Sequence, residues 1–144
     1  MKPDLKKSIY GGIAGTAVMT MMTLWVAPAI TGFPMDIAAL LQTMVGSYGM
    51  GWIAHLMMGI IIFPVAYALV IYGFLPGSPV GRGLLFGGIL WVLAAVMVMP
   101  LAGAGFLMSN IGGFLALMAS LMGHLVYGGL LGYIAGGGEE EVAA

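Results

Sequence analysis

Between Ser8 and Gly138 the chain carries two formally charged side chains, Asp36 and Arg82. A soluble domain needs a charged, hydrated surface around its core, so a stretch this long and this poor in charge is written for a solvent that cannot hydrate ions. Hydrophobic residues make up 62% of the sequence and charged residues 6%, a balance that points to lipid as the surroundings. The chain reads as an integral membrane protein.

A spanning helix needs about 20 predominantly apolar residues. Breakers at Gly32-Phe33-Pro34, Pro76-Gly77-Ser78-Pro79 and Gly103-Ala104-Gly105 cut the sequence into four such lengths. Spans are predicted over 9–30, 51–74, 83–101 and 111–135. The bilayer interior offers no water to free backbone groups, and the alternating pattern of a spanning barrel is missing, so the fold class is all-α, a four-transmembrane-helix bundle. Residues 1–144 form one integral membrane domain. Lys6 and Lys7 before an apolar run could suggest a signal peptide, but the run is too long and continues into a membrane pattern past Pro28 and Pro34. It is expected to be a mature helix. The absence of cysteine removes disulfides and thiolate metal sites.

Lys2, Lys6 and Lys7 precede the first span and Arg82 lies between the second and third. With an even number of spans all four fall on one face, and short-loop basic residues mark the cytoplasmic side. Both termini are therefore expected in the cytoplasm, with the acidic tail 139–144 beside them, in a prokaryotic cytoplasmic membrane.

The two halves of the sequence echo each other. Gly11, Gly15 and Pro28 recur as Gly83, Gly87 and Pro100; Gly32-Phe33 recurs as Gly105-Phe106; His55-Leu56-Met57-Met58-Gly59 recurs as His124-Leu125-Val126-Tyr127-Gly128. The pattern predicts a tandem duplication of a two-helix hairpin, with halves at about 8–75 and 80–137, related by an axis along the membrane normal. Small residues four apart let helix backbones approach closely in lipid. Gly11/Gly15, Gly83/Gly87 and Gly128/Gly132/Gly136 are the three expected packing faces. Residues 34–45, nearly apolar all round, read as a short helix lying in the outer interface, with Asp36 capping its start. Asn110 is the counterpart of Asp36 in the second half.

Chemistry should involve His55 and His124, since ionisable residues inside spans usually face the bundle interior or a cavity. Three uses compete. The imidazoles could ligate one haem b iron axially, with Gly59 and Gly128 making room for the porphyrin. Counted from the predicted helix starts, however, the two rings differ in depth by about 13 Å at 1.5 Å per residue. They could instead line a quinone headgroup site or a proton path, with Tyr48 and Trp52 nearby. The plainest use is a hydrogen bond from each ring to a carbonyl on a neighbouring helix. Met118 and Met122, four apart, suit copper(I), although methionine is also an ordinary apolar filler in membrane helices.

No nucleotide loop, zinc helix or hydrolase elbow is present, and no basic patch supports nucleic-acid binding. A carrier of charged solutes would keep charge inside the membrane. Pro100, Gly105-Phe106 and the run His124-Leu125-Val126-Tyr127-Gly128-Gly129-Leu130-Leu131-Gly132 resemble a family of uncharacterised four-helix membrane proteins of prokaryotes. The resemblance covers most of the chain, carries no established activity and implies an association with respiratory oxidases. The expected function is a non-catalytic integral subunit of a respiratory membrane complex, with lipid and other membrane subunits as partners. The alternatives are a small haem b or quinone-binding electron-transfer protein using His55 and His124, and a small carrier of a neutral solute.

Overall fold

The computed structural model describes residues 2–136; the acidic tail lies outside them. All regular structure among the described residues is helical. Four helices are long and apolar enough to cross a membrane: α1 (Leu5–Thr31), α3 (Tyr48–Phe74), α4 (Pro79–Leu101) and α5 (Gly113–Ala135). Between the first two lies the short α2 (Ile37–Val45). Three spans begin earlier than the apolar runs suggest, because a polar cap precedes each. Asp4 accepts from the Lys7 N–H at 2.7 Å, Ser47 from Met50 at 3.3 Å and Ser78 from Gly81 at 3.2 Å. These bonds satisfy backbone donors that a helix start otherwise leaves open.

The spans alternate in direction. The start of α1, the end of α5 and the 75–78 loop share one end of the bundle, here the terminal end; α2 and residues 102–112 lie at the other, the loop end. At the terminal end the Arg82 guanidinium stands 4.4 Å from the centroid of the Tyr72 ring, and its Nε donates to the Gly77 carbonyl at 3.0 Å. Arg82, expected between spans, thus stands in the first turn of α4 and is tied back to the 75–78 loop before it.

Helix α5 is the hub of the bundle, packed by α1 on one side and α4 on the other. Gly11 and Gly15 of α1 lie against Leu131 and Tyr127, while Gly83 and Gly87 of α4 lie against Gly128, Gly132 and the His124 carbonyl. Gly136 packs on nothing and instead ends α5 with φ +63°, a backbone angle that glycine adopts without a steric cost. Helices α3 and α4 meet through aromatic side chains: Phe63 and Tyr67 contact Phe86, with ring centroids 6.5 and 5.2 Å apart.

Three interior prolines leave a common mark. Pro28, Pro64 and Pro100 each follow a five-residue π-helical turn, Met22–Val26, Met58–Ile62 and Ala94–Val98. A proline ring cannot donate and collides with the carbonyl one turn back, and a widened turn relieves both problems without breaking the helix.

Helix α2 closes the loop end. Asp36 caps it, accepting from the Ala38 and Ala39 N–H groups at 3.0 and 3.1 Å and from the Tyr48 hydroxyl at 3.0 Å. Ala38 is fully buried, with its carbonyl against Gly51 of α3, and the Thr43 hydroxyl reaches the Ala102 carbonyl at 3.2 Å. Asn110 does not repeat the role of Asp36: its amide donates to the Gly103 carbonyl at 3.2 Å, and Gly112 stands at the start of α5. The second half has no counterpart of α2, and Asn110 therefore has no helix to cap. It ties down the tight turn of 103–112, in which Leu107 and Met108 adopt positive φ, +52° and +60°. Such angles are costly for residues with a Cβ and persist where surrounding structure enforces them.

Candidate ligand site between the two histidines

Two apolar clusters fill the bundle. Tyr67, Phe86, Tyr127 and Leu131 anchor the one nearer the terminal end; Ala27, Met35, Met99 and Met108 anchor the one at the loop end. Between them lies a cavity of about 340 Å³, bounded by all four spans, by α2 and by the 103–112 turn. Its floor includes Phe63, Leu90 and Tyr127, and its roof Leu40, Leu41 and Met108. The π-helical turns of α3 and α4 supply Met58, Gly59, Ala94 and Met97 to its wall. Three lining side chains, Met58, Leu93 and Met97, are 38, 46 and 55% exposed. They make α3 and α4 the exposed edge of the cavity.

Both histidines line this one cavity. The depth difference expected from the sequence is corrected by the helix starts: α3 begins at Tyr48 and α5 at Gly113, which cuts the simple count to about 6 Å. The remainder is absorbed in packing. The Tyr127 hydroxyl donates to the Gly59 carbonyl at 2.7 Å, which locks α5 to α3; both helices run toward the terminal end, and His124 and His55 each precede the locked residue by about one turn.

The hydrogen-bond partners of the two rings differ: a carbonyl for His124 and a hydroxyl for His55. His124 Nδ1 lies 2.8 Å from the Ser120 carbonyl of its own helix. A carbonyl only accepts, so Nδ1 is the donor, and in the neutral ring Nε2 is left with a lone pair. His55 Nε2 lies 2.8 Å from the Thr20 hydroxyl oxygen, and that hydroxyl donates to the Thr16 carbonyl at 2.6 Å. While the Thr20 hydrogen is on the Thr16 carbonyl, the Thr20 oxygen accepts from Nε2 and the lone pair of His55 is on Nδ1. Neither lone pair has a hydrogen-bond partner among the described residues. Trp52 packs edge-on against the His55 ring at 6.0 Å and Tyr48 against Trp52 at 6.3 Å, so these aromatics support the ring from behind the cavity wall.

Gly59 and Gly128 do not clear space for a flat macrocycle. The Thr16 side chain fills the space before Gly59, and the backbone of Gly83 and Gly87 fills that before Gly128; both glycines admit a neighbouring helix. A bis-imidazole haem fits these residues poorly for a second reason: His55 Nε2 is engaged, and ligation through Nδ1 would bring a porphyrin against the histidine's own backbone. Met118 and Met122 are not among the cavity residues, and Met122 is 55% exposed. The methionines at the cavity are six others, including Met19 and Met35, soft flexible side chains that adapt to a ligand's outline.

One polar atom had no signal in the sequence. The Thr16 hydroxyl oxygen is buried with no partner, in a residue only 2% exposed that borders the cavity. An unsatisfied buried hydroxyl costs about 1–3 kcal/mol. Thr16→Val, nearly isosteric, is expected to raise the stability of the ligand-free bundle by about 1 kcal/mol, measured by detergent-titrated unfolding; a loss of stability of that size would mean the hydroxyl is satisfied in the membrane.

No curated protein and no solved structure matches the chain significantly. The model of one family, described as a family of unknown function and designated DUF6789, matches residues 3–141, nearly the whole sequence, and the chain belongs to that family.

Proposed function

We propose that this protein is a non-catalytic integral membrane subunit of a larger, respiratory-type complex, and that it holds one lipid-soluble molecule of the quinone class in the cavity between His55 and His124. The observation that carries the reading is the meeting of two histidines, each bonded through one ring nitrogen, in the wall of one mainly apolar cavity among the four spans. Ligand cavities run from about 300 to 1,000 Å³ and combine apolar walls with few convergent polar groups. A quinone ring occupies such a volume, and its isoprenoid tail leaves between Met58 and Met97.

Several further features belong to this reading. The termini and Arg82 face the cytoplasm, supported by the basic residues gathered at the terminal end, and the membrane is the prokaryotic cytoplasmic one. The cavity then lies in the outer half of the bilayer, roofed by α2. Descent from a duplicated hairpin is supported by the shared direction of α3 and α5 and by the π-helical turns before both Pro28 and Pro100. The halves have since diverged, because Gly83 and Gly87 pack within their own hairpin while Gly11 and Gly15 pack across on α5. The haem reading is weakened by the engaged His55 Nε2. A carrier of neutral solutes would need a path through the floor, where the bond from Tyr127 to Gly59 and the Phe63 ring stand.

The test is solvent extraction of protein purified from native membranes, with quinones identified by mass spectrometry and co-purifying subunits by proteomics. A stoichiometric quinone together with oxidase or quinol-oxidising subunits is the expected result. A b-type absorption band lost on His124→Ala, with no quinone, would replace this reading by the haem one.

A further inference from the structure

Resting on the cavity reading just given, we infer that the site discriminates between redox states of its ligand: it binds the dihydroxy, reduced form of a quinone-type ring in preference to the dicarbonyl, oxidised form. The argument is one of hydrogen-bond complementarity. A hydroquinone offers two hydroxyl donors on opposite sides of its ring, and a quinone offers acceptors alone. Both rings line the cavity, and the nitrogens they have left to offer a ligand are His55 Nδ1 and His124 Nε2, opposite the bonded ones. Two hydroxyls satisfy them, whereas two carbonyls would set lone pair against lone pair, and a site with unpaired polar groups rejects the analogue that cannot pair them. The hydroxyls at the wall are those of Thr23 and Tyr127, which donate to the Thr20 and Gly59 carbonyls, and those of Ser120, 3.5 Å from His124 Nδ1, and Thr16.

Thr20 is the positioning residue of this device. It does not line the cavity, but its hydroxyl, when it donates to the Thr16 carbonyl, accepts from His55 Nε2 and so favours the proton there. Without it the His55 proton is free to move to Nδ1 and the ring becomes a donor toward the cavity. His124 has no such freedom, since its partner is a backbone carbonyl.

The experiment is calorimetric titration of the protein in lipid nanodiscs, under anaerobic conditions, with decylubiquinol and with decylubiquinone. The wild type is expected to bind the reduced form about tenfold or more tighter, the effect of one to two hydrogen bonds. Thr20→Val should reduce that preference to within about threefold, and Thr20→Ser, which keeps the hydroxyl, should retain it. A merely structural role for Thr20 would weaken both ligands equally. Equal affinities in the wild type, or tighter binding of the oxidised form, overturn the inference and leave the cavity reading standing. Failure of both forms to bind overturns the cavity reading and the inference with it.

Discussion

Gly87→Val is expected to destabilise the bundle by about 3 kcal/mol or more, while the same change one residue on, Gly88→Val, shifts stability by no more than about 0.5 kcal/mol. The difference lies in what each new Cβ meets. At Gly87 it strikes the His124 carbonyl and then the Gly128 Cα, backbone atoms that yield only if α4 and α5 part. At Gly88 it meets nothing within 4 Å and points toward lipid. Because α5 also carries α1, separation of α4 from α5 disturbs the hub of the fold, and without a hydrophobic force between helices in lipid nothing compensates for the lost contact. Unfolding by a denaturing detergent, followed by helix content, measures both variants. Equal tolerance of the two substitutions would mean that α4 and α5 do not approach as closely as described.

The second large effect concerns the ligand. His55→Ala and His124→Ala are each expected to weaken binding of decylubiquinol in nanodiscs about tenfold or more, with little change in the stability of the ligand-free protein, since each removes one acceptor from the cavity. The His124 change leaves the Ser120 carbonyl with its ordinary helical bond. The His55 change leaves the Thr20 hydroxyl bonded to the Thr16 carbonyl. Neither strands a buried group. Loss of affinity confined to one histidine would place the ligand against one wall and remove the case for two converging acceptors.

Much of this architecture was legible in the sequence, because lipid imposes strong rules. The lengths of the apolar runs and the breakers between them located four spans to within a few residues, and the misplacement of their starts traces to caps, Asp4, Ser47 and Ser78, that precede the apolar pattern. Asp36 was readable as a cap because Pro34 and an apolar run frame it. The histidines drew attention as rare polar residues in apolar helices, but their common cavity was hidden. It depends on helix starts and on the Tyr127 bond to Gly59, neither of which a linear pattern encodes. Gly59 and Gly128 were ambiguous for a related reason: a missing side chain shows that something comes close without saying whether it is a helix or a ligand. Thr16 and Thr20 gave no signal, since threonine in a membrane helix ordinarily bonds its own backbone, and their importance comes from the ring that Thr20 orients.

Photolabelling with an azido-substituted quinol, followed by peptide sequencing, addresses the cavity most directly. The account predicts that label falls on the turns that line it, around Met58 in α3 and around Met97 in α4, is displaced by excess decylubiquinol, and is lost in the His55→Ala, His124→Ala double variant. Label confined to the outward faces of the helices, undiminished by competitor or by the double substitution, would contradict it.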